Sequence, residues 1–186
     1  MQAGQRLFLS YLTLIAAVVA SLTLATEFAL RRHLIDVVAG SMGRELALAT
    51  AIFDRRADLP TDSLADALGA LTTHRVTIIA RDGSVVGDSR LDGAELRGAE
   101  NHGSRPEIRA ALGGGVGRAM RTSGTAGARL LYLASATERG EVIRLAIPLR
   151  EIDATLSRVR QAIFGVGVAA LFIATLFLLA FSMAVT

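Results

Sequence analysis

The sequence contains no cysteine and no lysine, and aromatic residues make up only 5% of its 186 positions. Without cysteine the chain has no disulfide, no thiolate nucleophile and no cysteine ligand for a metal. The arginines form no basic stripe interleaved with aromatic residues, and the net charge is only +3. A field this weak excludes a nucleic-acid-binding surface, so no nucleic-acid partner is expected.

Charge is also missing from two long stretches at the ends of the sequence. No charged residue occurs from Leu7 to Thr26 or from Gln161 to Thr186. Each stretch is long enough to cross a bilayer core, which takes about 18 to 20 apolar residues. The pattern predicts two membrane helices and excludes an ordinary cytosolic enzyme. The expected segments are a cytoplasmic tail over 1–6, a first span over 7–29, a single domain over 30–160 and a second span over 161–184.

The flanking charges predict how these spans are oriented. Arg6 and the α-amino group precede the first span, so the positive-inside rule keeps this end in the cytoplasm. The middle is longer than the roughly 60 residues within which loop charges influence topology, so its arginines do not oppose export. A cleaved signal peptide is the alternative, but Glu27 follows the apolar run without a small-x-small cleavage site. Both interpretations place the middle outside the cytoplasm, in a two-pass protein of the inner membrane.

The segment after the first span has the periodicity of an amphipathic helix. Apolar residues recur at spacings of three and four from Leu34 to Phe53, and this stripe packs either on its own domain or on a second copy. Pro60 ends the helix, and Thr61 is expected to cap a second helix that reaches about Leu71. A further short helix is expected to begin with a capping box formed by Ser104 and Glu107.

Five segments of the middle are rich in β-branched and apolar residues and are separated by turn signals. The predicted strands cover residues 75–80, 84–88, 117–123, 128–137 and 141–149, and a polar loop is expected over 89–103. Antiparallel strands accompanied by helices define an α+β domain. The order predicts a PAS-like or single-Cache architecture: a five-stranded antiparallel sheet with a long N-terminal helix, whose crossing loop encloses a small pocket.

The last helix leads from the domain into the second span. Ile152, Leu156, Val159 and Ile163 recur at spacings of four, three and four, and neither glycine nor proline interrupts residues 151–164. Such a seam favours a paired helix from a second copy, and hence a homodimer. An amphipathic cover over the sheet is the alternative.

Six short motifs between the second predicted strand and the fourth carry a family resemblance. They are Asp88–Ser89, Glu100–Asn101–His102, Arg105–Pro106–Glu107, Ala111–Leu112–Gly113–Gly114, Arg121–Thr122–Ser123–Gly124–Thr125 and Leu131–Tyr132–Leu133–Ala134. In this order they resemble the extracytoplasmic sensor region of bacterial sensor histidine kinases of the phosphate-regulon type. Ala99 and Leu133 are mild departures from the family pattern. With the two flanking spans, the resemblance covers nearly the whole chain.

The resemblance implies a function that is completed by domains outside this sequence. A linker, a dimerising helical domain with a phospho-accepting histidine and an ATP-binding domain are expected to follow Thr186, and a response regulator to act as partner. ATP and Mg²⁺ belong to those domains, and no cofactor is expected here. Gly113–Gly117 ends a helix rather than holding phosphate, because no lysine follows it. An adaptor, or a chemoreceptor or cyclase input domain, is the alternative function.

No set of nucleophile, base and orienting group occurs, and the three histidines are too far apart in sequence to indicate a metal site. The candidate ligand-binding residues are therefore non-catalytic: Asn101, His102, Arg105, Arg121, Ser123 and Tyr132. Arg105 and Arg121 either clamp an anion or form ion pairs with Asp88, Glu100 or Glu107.

The other candidates also have two interpretations. Asn101 and His102 either bind a ligand or tie the crossing loop to the sheet, and Tyr132 either lines the pocket or covers the sheet. The expected signal is a small molecule or a membrane-protein partner.

Overall fold

The structure, a computed structural model, describes residues 3–122 and 127–185. The chain forms two compact units, of which one combines the two ends of the chain, up to Ile35 and from Glu151, and the other is Asp36–Arg150. In chain order the elements are α1 (Ala3–Arg55), α2 (Thr61–Thr72), β1 (Arg75–Ile79), β2 (Val85–Asp88), α3 (Gly93–Arg97), α4 (Pro106–Leu112), β3 (Gly117–Thr122), β4 (Arg129–Ala136), β5 (Val142–Pro148) and α5 (Arg150–Val185).

The unit formed by the two ends consists of the first part of α1 and nearly all of α5. Among the described residues, these two helices are long and apolar enough to cross a membrane. Large apolar side chains such as Leu22, Phe28 and Phe164 are exposed on them, as they are on helices that face lipid. Two ion pairs join the helices, Arg31 with Asp153 at 2.8 Å and Arg160 with Glu27 at 3.2 Å.

The unit Asp36–Arg150 is built on one antiparallel sheet with strand order β2-β1-β5-β4-β3. In the register Val76 lies opposite Leu145, and Tyr132 lies opposite Ala146. The strands form because β-branched and apolar side chains suit the pleated sheet and fill one of its faces. The α+β class and the five-stranded antiparallel sheet confirm the sequence prediction.

One face of the sheet carries side chains that are almost entirely apolar. Val76, Ile78, Leu131 and Leu145 are fully buried, and α2 packs on β1 and β2. The apolar stripe of α1 contributes Met42, Leu46, Ala49 and Phe53, each at most 1% exposed. Because these four side chains are buried within the chain itself, this part of the stripe packs on its own domain.

The opposite face is partly covered by α4, which contacts β3, β4 and β5. Ile108 and Ala111 of this helix form a buried cluster with Ile79, Ala134 and Val142. The helix can lie this close to β3 because residue 117 is glycine. A Cβ atom there would collide with the carbonyl oxygen of Glu107.

Two expected caps are wrong. Helix α2 begins at Thr61 with Pro60 in the capping position, and no side chain caps it. Helix α4 has Arg105 in the capping position, again without a side-chain bond. Glu107, which the capping box would have turned back towards Ser104, is instead fully buried and forms ion pairs with arginines of the sheet.

The polar stretch 89–103 contains the short helix α3, where the sequence predicted only a loop. Strand β3 ends at Thr122, and the candidate Ser123 lies outside the described residues, as do the next three positions of the predicted turn.

Candidate functional site: an arginine-lined cavity

A cavity of about 470 Å³ lies on the face of the sheet that carries α4. Its floor is formed by side chains of all five strands, and its wall by the segment 91–105. Four arginines line it: Arg75, Arg105, Arg121 and Arg144. Arg75, Arg121 and Arg144 lie on strands and share one face of the sheet. Arg75 and Tyr132 both lie opposite Ala146, which is two residues after Arg144. Arg121 lies opposite Leu130, which is two residues before Tyr132.

Glu107 is the buried carboxylate beside this cavity, with 0% exposure. Its Oε1 accepts a hydrogen bond from Nη2 of Arg121 at 3.2 Å, and Nη1 of Arg144 lies 3.6 Å from the same oxygen. Arg144 is itself only 3% exposed. A buried carboxylate is tolerated only when it is paired. Here two guanidinium charges share one carboxylate, so a net charge of +2 − 1 = +1 is left beside the cavity.

Asp88 forms a second ion pair at the cavity. It is 1% exposed, and both of its oxygens accept from Nε of Arg75, at 3.0 and 3.1 Å. The Thr77 hydroxyl donates to Asp88 at 2.7 Å and accepts from Nη2 of Arg144 at 3.1 Å. Thr77 therefore links the Arg75–Asp88 pair, whose charges cancel, to the Arg144–Glu107 pair.

The ring of Tyr132 lies beneath two of the arginines. The guanidinium carbon of Arg121 is 4.2 Å from the ring centroid, and that of Arg144 is 5.1 Å from it. Both distances are within the range of cation–π attraction. The ring thus holds the two guanidinium groups side by side without using their N–H donors.

Several N–H donors of the arginines that line the cavity have no hydrogen-bond partner among the described residues. They are Nε of Arg105, Nε of Arg121, and both Nε and Nη1 of Arg144. His102 Nδ1 and Glu107 Oε2 are also buried without a partner. A buried polar atom without a partner costs about 1–3 kcal/mol, and more for a charged group. These nitrogens have almost no accessible surface of their own, but their residues line the cavity, and a bound anion is the kind of group that would satisfy them.

Burial and charge shift two pKa values at the site. Burial, and then the positive charges of Arg144, Arg105 and Arg121, lower the pKa of His102 to about 4, while Glu107 opposes the shift. His102 is therefore neutral at pH 7. Burial also lowers the pKa of Arg144 to about 10, against the opposing effects of Glu107 and Tyr132. This value is still far above neutrality, so Arg144 keeps its charge.

Four of the six candidate residues come together here: His102, Arg105, Arg121 and Tyr132 all line the cavity. Arg105 bonds to Glu100 at 3.3 Å, as Arg121 does to Glu107. The ion pairs weighed as an alternative to an anion clamp therefore exist, yet each arginine keeps a buried Nε free of them.

Asn101 is not among the residues that line the cavity. Its Nδ2 donates to the carbonyl oxygen of Asp82 at 2.9 Å, and its Oδ1 accepts from the backbone N–H of Gly103 at 2.8 Å. The backbone N–H of His102 donates to the carbonyl oxygen of Gly83 at 2.8 Å. These bonds tie the crossing loop to the β1–β2 turn and so position His102 at the cavity wall.

Sequence reasoning missed Arg75, Thr77 and Arg144. A usable signal was present, because Arg144 is the only charged residue of β5 and Thr77 the only uncharged polar residue of β1. A polar residue inside an otherwise apolar strand must find a buried partner.

Comparisons with known proteins agree with the fold. No protein-family model and no curated protein matches the chain. Among solved structures, the ligand-binding domain of the Campylobacter jejuni chemoreceptor Tlp3, in complex with 4-methylisoleucine, is 14% identical with a TM-score of 0.50. The match covers 72% of this chain and 61% of that chain. At this identity the likeness shows the fold alone, which is Cache/PAS-like.

Two further structures match less well. The sensor domain of the Vibrio cholerae histidine kinase DctB is 24% identical with a TM-score of 0.42, over 80% of this chain and 57% of that one. The Bacillus subtilis YkuI protein, with an EAL domain and in complex with c-di-GMP and calcium, is 12% identical with a TM-score of 0.49. That match covers 63% of this chain and 34% of YkuI. This chain therefore spans between about a third and three fifths of the length of the structures it matches.

Proposed function

We propose that this chain is the transmembrane sensing region of a two-component sensor histidine kinase of the inner membrane. In this proposal, residues 36–150 detect a signal outside the cytoplasm, and α5 carries it to cytoplasmic kinase domains. The observation that carries the proposal is the cavity, which is lined by four arginines, and three of these, Arg105, Arg121 and Arg144, have buried nitrogens without partners among the described residues. A structural core does not need unsatisfied charged donors, whereas a ligand site does.

The connection from the cavity to α5 supports a route for the signal. Arg144 lies on β5, which ends at Pro148, and α5 begins at Arg150. Only Leu149 separates the strand from the helix, and its backbone N–H donates to the carbonyl oxygen of Arg129 at 2.9 Å. A shift of β5 on binding would move the start of α5 by a similar amount. Small displacements of helices are a common form of transmembrane signal.

The topology can be tested with single cysteines, because the chain has none of its own. Arg97→Cys places a thiol on the exposed helix α3, and Gln5→Cys places one in the expected cytoplasmic tail. A membrane-impermeant maleimide should label the first variant in intact cells, and the second only after permeabilisation. The reverse pattern would overturn the proposal.

The role of α5 can be tested by inserting one residue after Arg158. The insertion rotates the downstream helix by roughly 100°. In the full-length protein, we expect this to change phosphorylation of the kinase histidine. An insertion of seven residues restores the original seam and serves as the control. Unchanged phosphorylation in both variants would contradict transmission through α5.

A chemoreceptor is the second candidate, favoured by the match to the Tlp3 ligand-binding domain. The coding sequence beyond Thr186 decides between them. A phospho-acceptor helix and an ATP-binding domain support the kinase. A methyl-accepting helical domain supports the chemoreceptor, and a stop codon supports an adaptor that binds partner proteins. A homodimer and a response-regulator partner are part of the kinase proposal.

A further inference from the structure

We infer that the cavity binds a small oxyanion, a carboxylate or phosphate group, on Arg121 and Arg144, and that Glu107 competes with this anion for the same guanidinium groups. The inference rests on the proposed function of the cavity as a ligand site, and it adds the ligand's chemical class and an internal competitor.

The first argument is the placement of the unpaired donors. Arg144 is 3% exposed and lines the cavity, and its Nε and Nη1 have no hydrogen-bond partner among the described residues. Nε of Arg121 also has no hydrogen-bond partner among the described residues. The Tyr132 ring holds the two guanidinium groups at 4.2 and 5.1 Å from its centroid. A planar guanidinium group matches the two oxygens of a carboxylate or phosphate, so an oxyanion is the ligand these donors fit.

The second argument is the charge balance. Asp88 cancels Arg75, and the exposed Glu100 bonds to Arg105. Arg121 and Arg144 share Glu107, which leaves a local excess of +1 in this buried cluster, and Glu95, the remaining carboxylate at the cavity, lies on the exposed helix α3. A cation would be repelled by this excess, and a neutral ligand would leave it uncompensated. An oxyanion would place negative charge beside these two guanidinium groups, of which Arg144 is 3% exposed.

The third argument concerns Glu107, which uses only one of its two oxygens. Oε1 meets Arg121 at 3.2 Å and Arg144 at 3.6 Å, while Oε2 has no hydrogen-bond partner. The pairing is thus weaker than a two-pronged carboxylate–guanidinium contact. An incoming oxyanion can therefore take over donors that Glu107 holds poorly. Since α4 carries Glu107 and lies against Gly117 of β3, this exchange would also act on the position of α4.

The test is direct binding to the full 186-residue chain in nanodiscs of uncharged lipid. The probes are sodium malonate and inorganic phosphate, with malonamide as the neutral analogue and sodium chloride at matched ionic strength. Calorimetry gives the Kd. We expect one of the two anions to bind saturably and malonamide not to bind. The anion that binds more tightly identifies the group as carboxylate or phosphate.

Two lysine variants on the same strand test the site. Arg121→Lys keeps the charge but removes the fork, and it should weaken binding about tenfold or more, or roughly 1.4 kcal/mol. Arg118→Lys is the matched control, because Arg118 points to the opposite face of β3 and is also in an ion pair, with Asp36 at 3.0 Å. It should change the Kd by less than about twofold. Equal effects of the two variants, or absence of binding by both anions, would overturn the inference.

Glu107→Gln tests the competition. Removing the competing charge should tighten anion binding by about tenfold, whereas a carboxylate that merely orients the arginines would weaken it when removed. If the variant does not fold, the two lysine variants still decide whether an anion binds at Arg121. Because binding is measured without kinase output, an anion that binds but does not alter phosphorylation would contradict the proposed function and leave this inference standing. A full-length protein that signals but binds no anion would contradict this inference and leave the proposed function standing.

Discussion

The two faces of the sheet in the unit Asp36–Arg150 show how one fold can combine a stable core with a binding site. One face carries Val76, Ile78, Leu131 and Leu145, all buried among apolar side chains. The other carries Arg75, Thr77, Tyr132 and Arg144 on the very same strands. Successive side chains of a strand point to opposite faces of the sheet, and this alternation alone separates the apolar set from the charged set. We conclude that the apolar face stabilises the domain and that the charged face can change without unfolding it.

The largest effect is expected from the apolar face. Leu145→Ala removes a fully buried side chain and should lower the free energy of unfolding by about 2–5 kcal/mol, through lost burial and a cavity. Leu71→Ala, at a position that is 59% exposed, is the control and should stay within about 0.5 kcal/mol of the parent. Urea denaturation measures both. Weaker anion binding by the folded Leu145→Ala molecules would contradict the separation of the apolar face from the charged face.

Gly117→Ala should have the next largest effect, because it disturbs the contact between α4 and β3. The new Cβ would collide with the carbonyl oxygen of Glu107, so the helix must shift. We expect a loss of about 1–3 kcal/mol, as for other overpacked sites. Gly115→Ala is the control, since its Cβ would meet only Ala110 O at 3.7 Å. Thermal unfolding measures both variants, and equal melting temperatures would contradict the close approach of α4.

Thr77→Val changes the charged face while keeping the shape of the side chain. It removes the hydroxyl that donates to Asp88 and accepts from Arg144. The expected loss is about 1–2 kcal/mol, because two buried charged groups each lose a hydrogen bond. Thr50→Val, which loses only a bond to the helix carbonyl of Leu46, should be nearly neutral. If urea denaturation finds equal effects for the two variants, Thr77 does not link the two ion pairs.

The smallest expected effect is a dependence of stability on pH. The pKa of His102 is about 4 in the folded chain, against about 6.5 when unfolded. Between these values the unfolded chain binds more protons, so the free energy of unfolding decreases as the pH falls from 6.5 to 4. His102→Gln should reduce this decrease. Because His102 is only half-buried, the difference will be modest, and parallel pH profiles for parent and variant would show that its burial has no effect.

The sheet could be predicted because its signals are local. Residues 76–79 are all β-branched, and Asp82–Gly83 marks the turn, so strand positions follow from the sequence with errors of one or two residues. The short helix α3 could not be predicted in this way, since its five residues bury no side chain and leave no periodic pattern.

The cavity was harder to predict, because it depends on pairs far apart in sequence. The spacing of Glu107 three residues after Ser104 favours a capping box. In the structure the Glu107 side chain is instead buried and paired with Arg121 and Arg144. Arg144 meets Thr77 across 67 positions, which no local pattern can indicate. Arg105 and Arg121 were candidates because a guanidinium fork matches an anion, and Tyr132 because it alternates with the apolar residues of its strand. Their convergence required the register of the sheet.

Hydrogen–deuterium exchange on the full chain, with and without saturating malonate or phosphate, tests most directly whether binding belongs to the charged face alone. We expect the anion to slow exchange in the segment 91–112, which forms the cavity wall and α4, and to leave α2 on the apolar face unchanged. Slowed exchange confined to α2, or no change in either region, would contradict this division between the two faces.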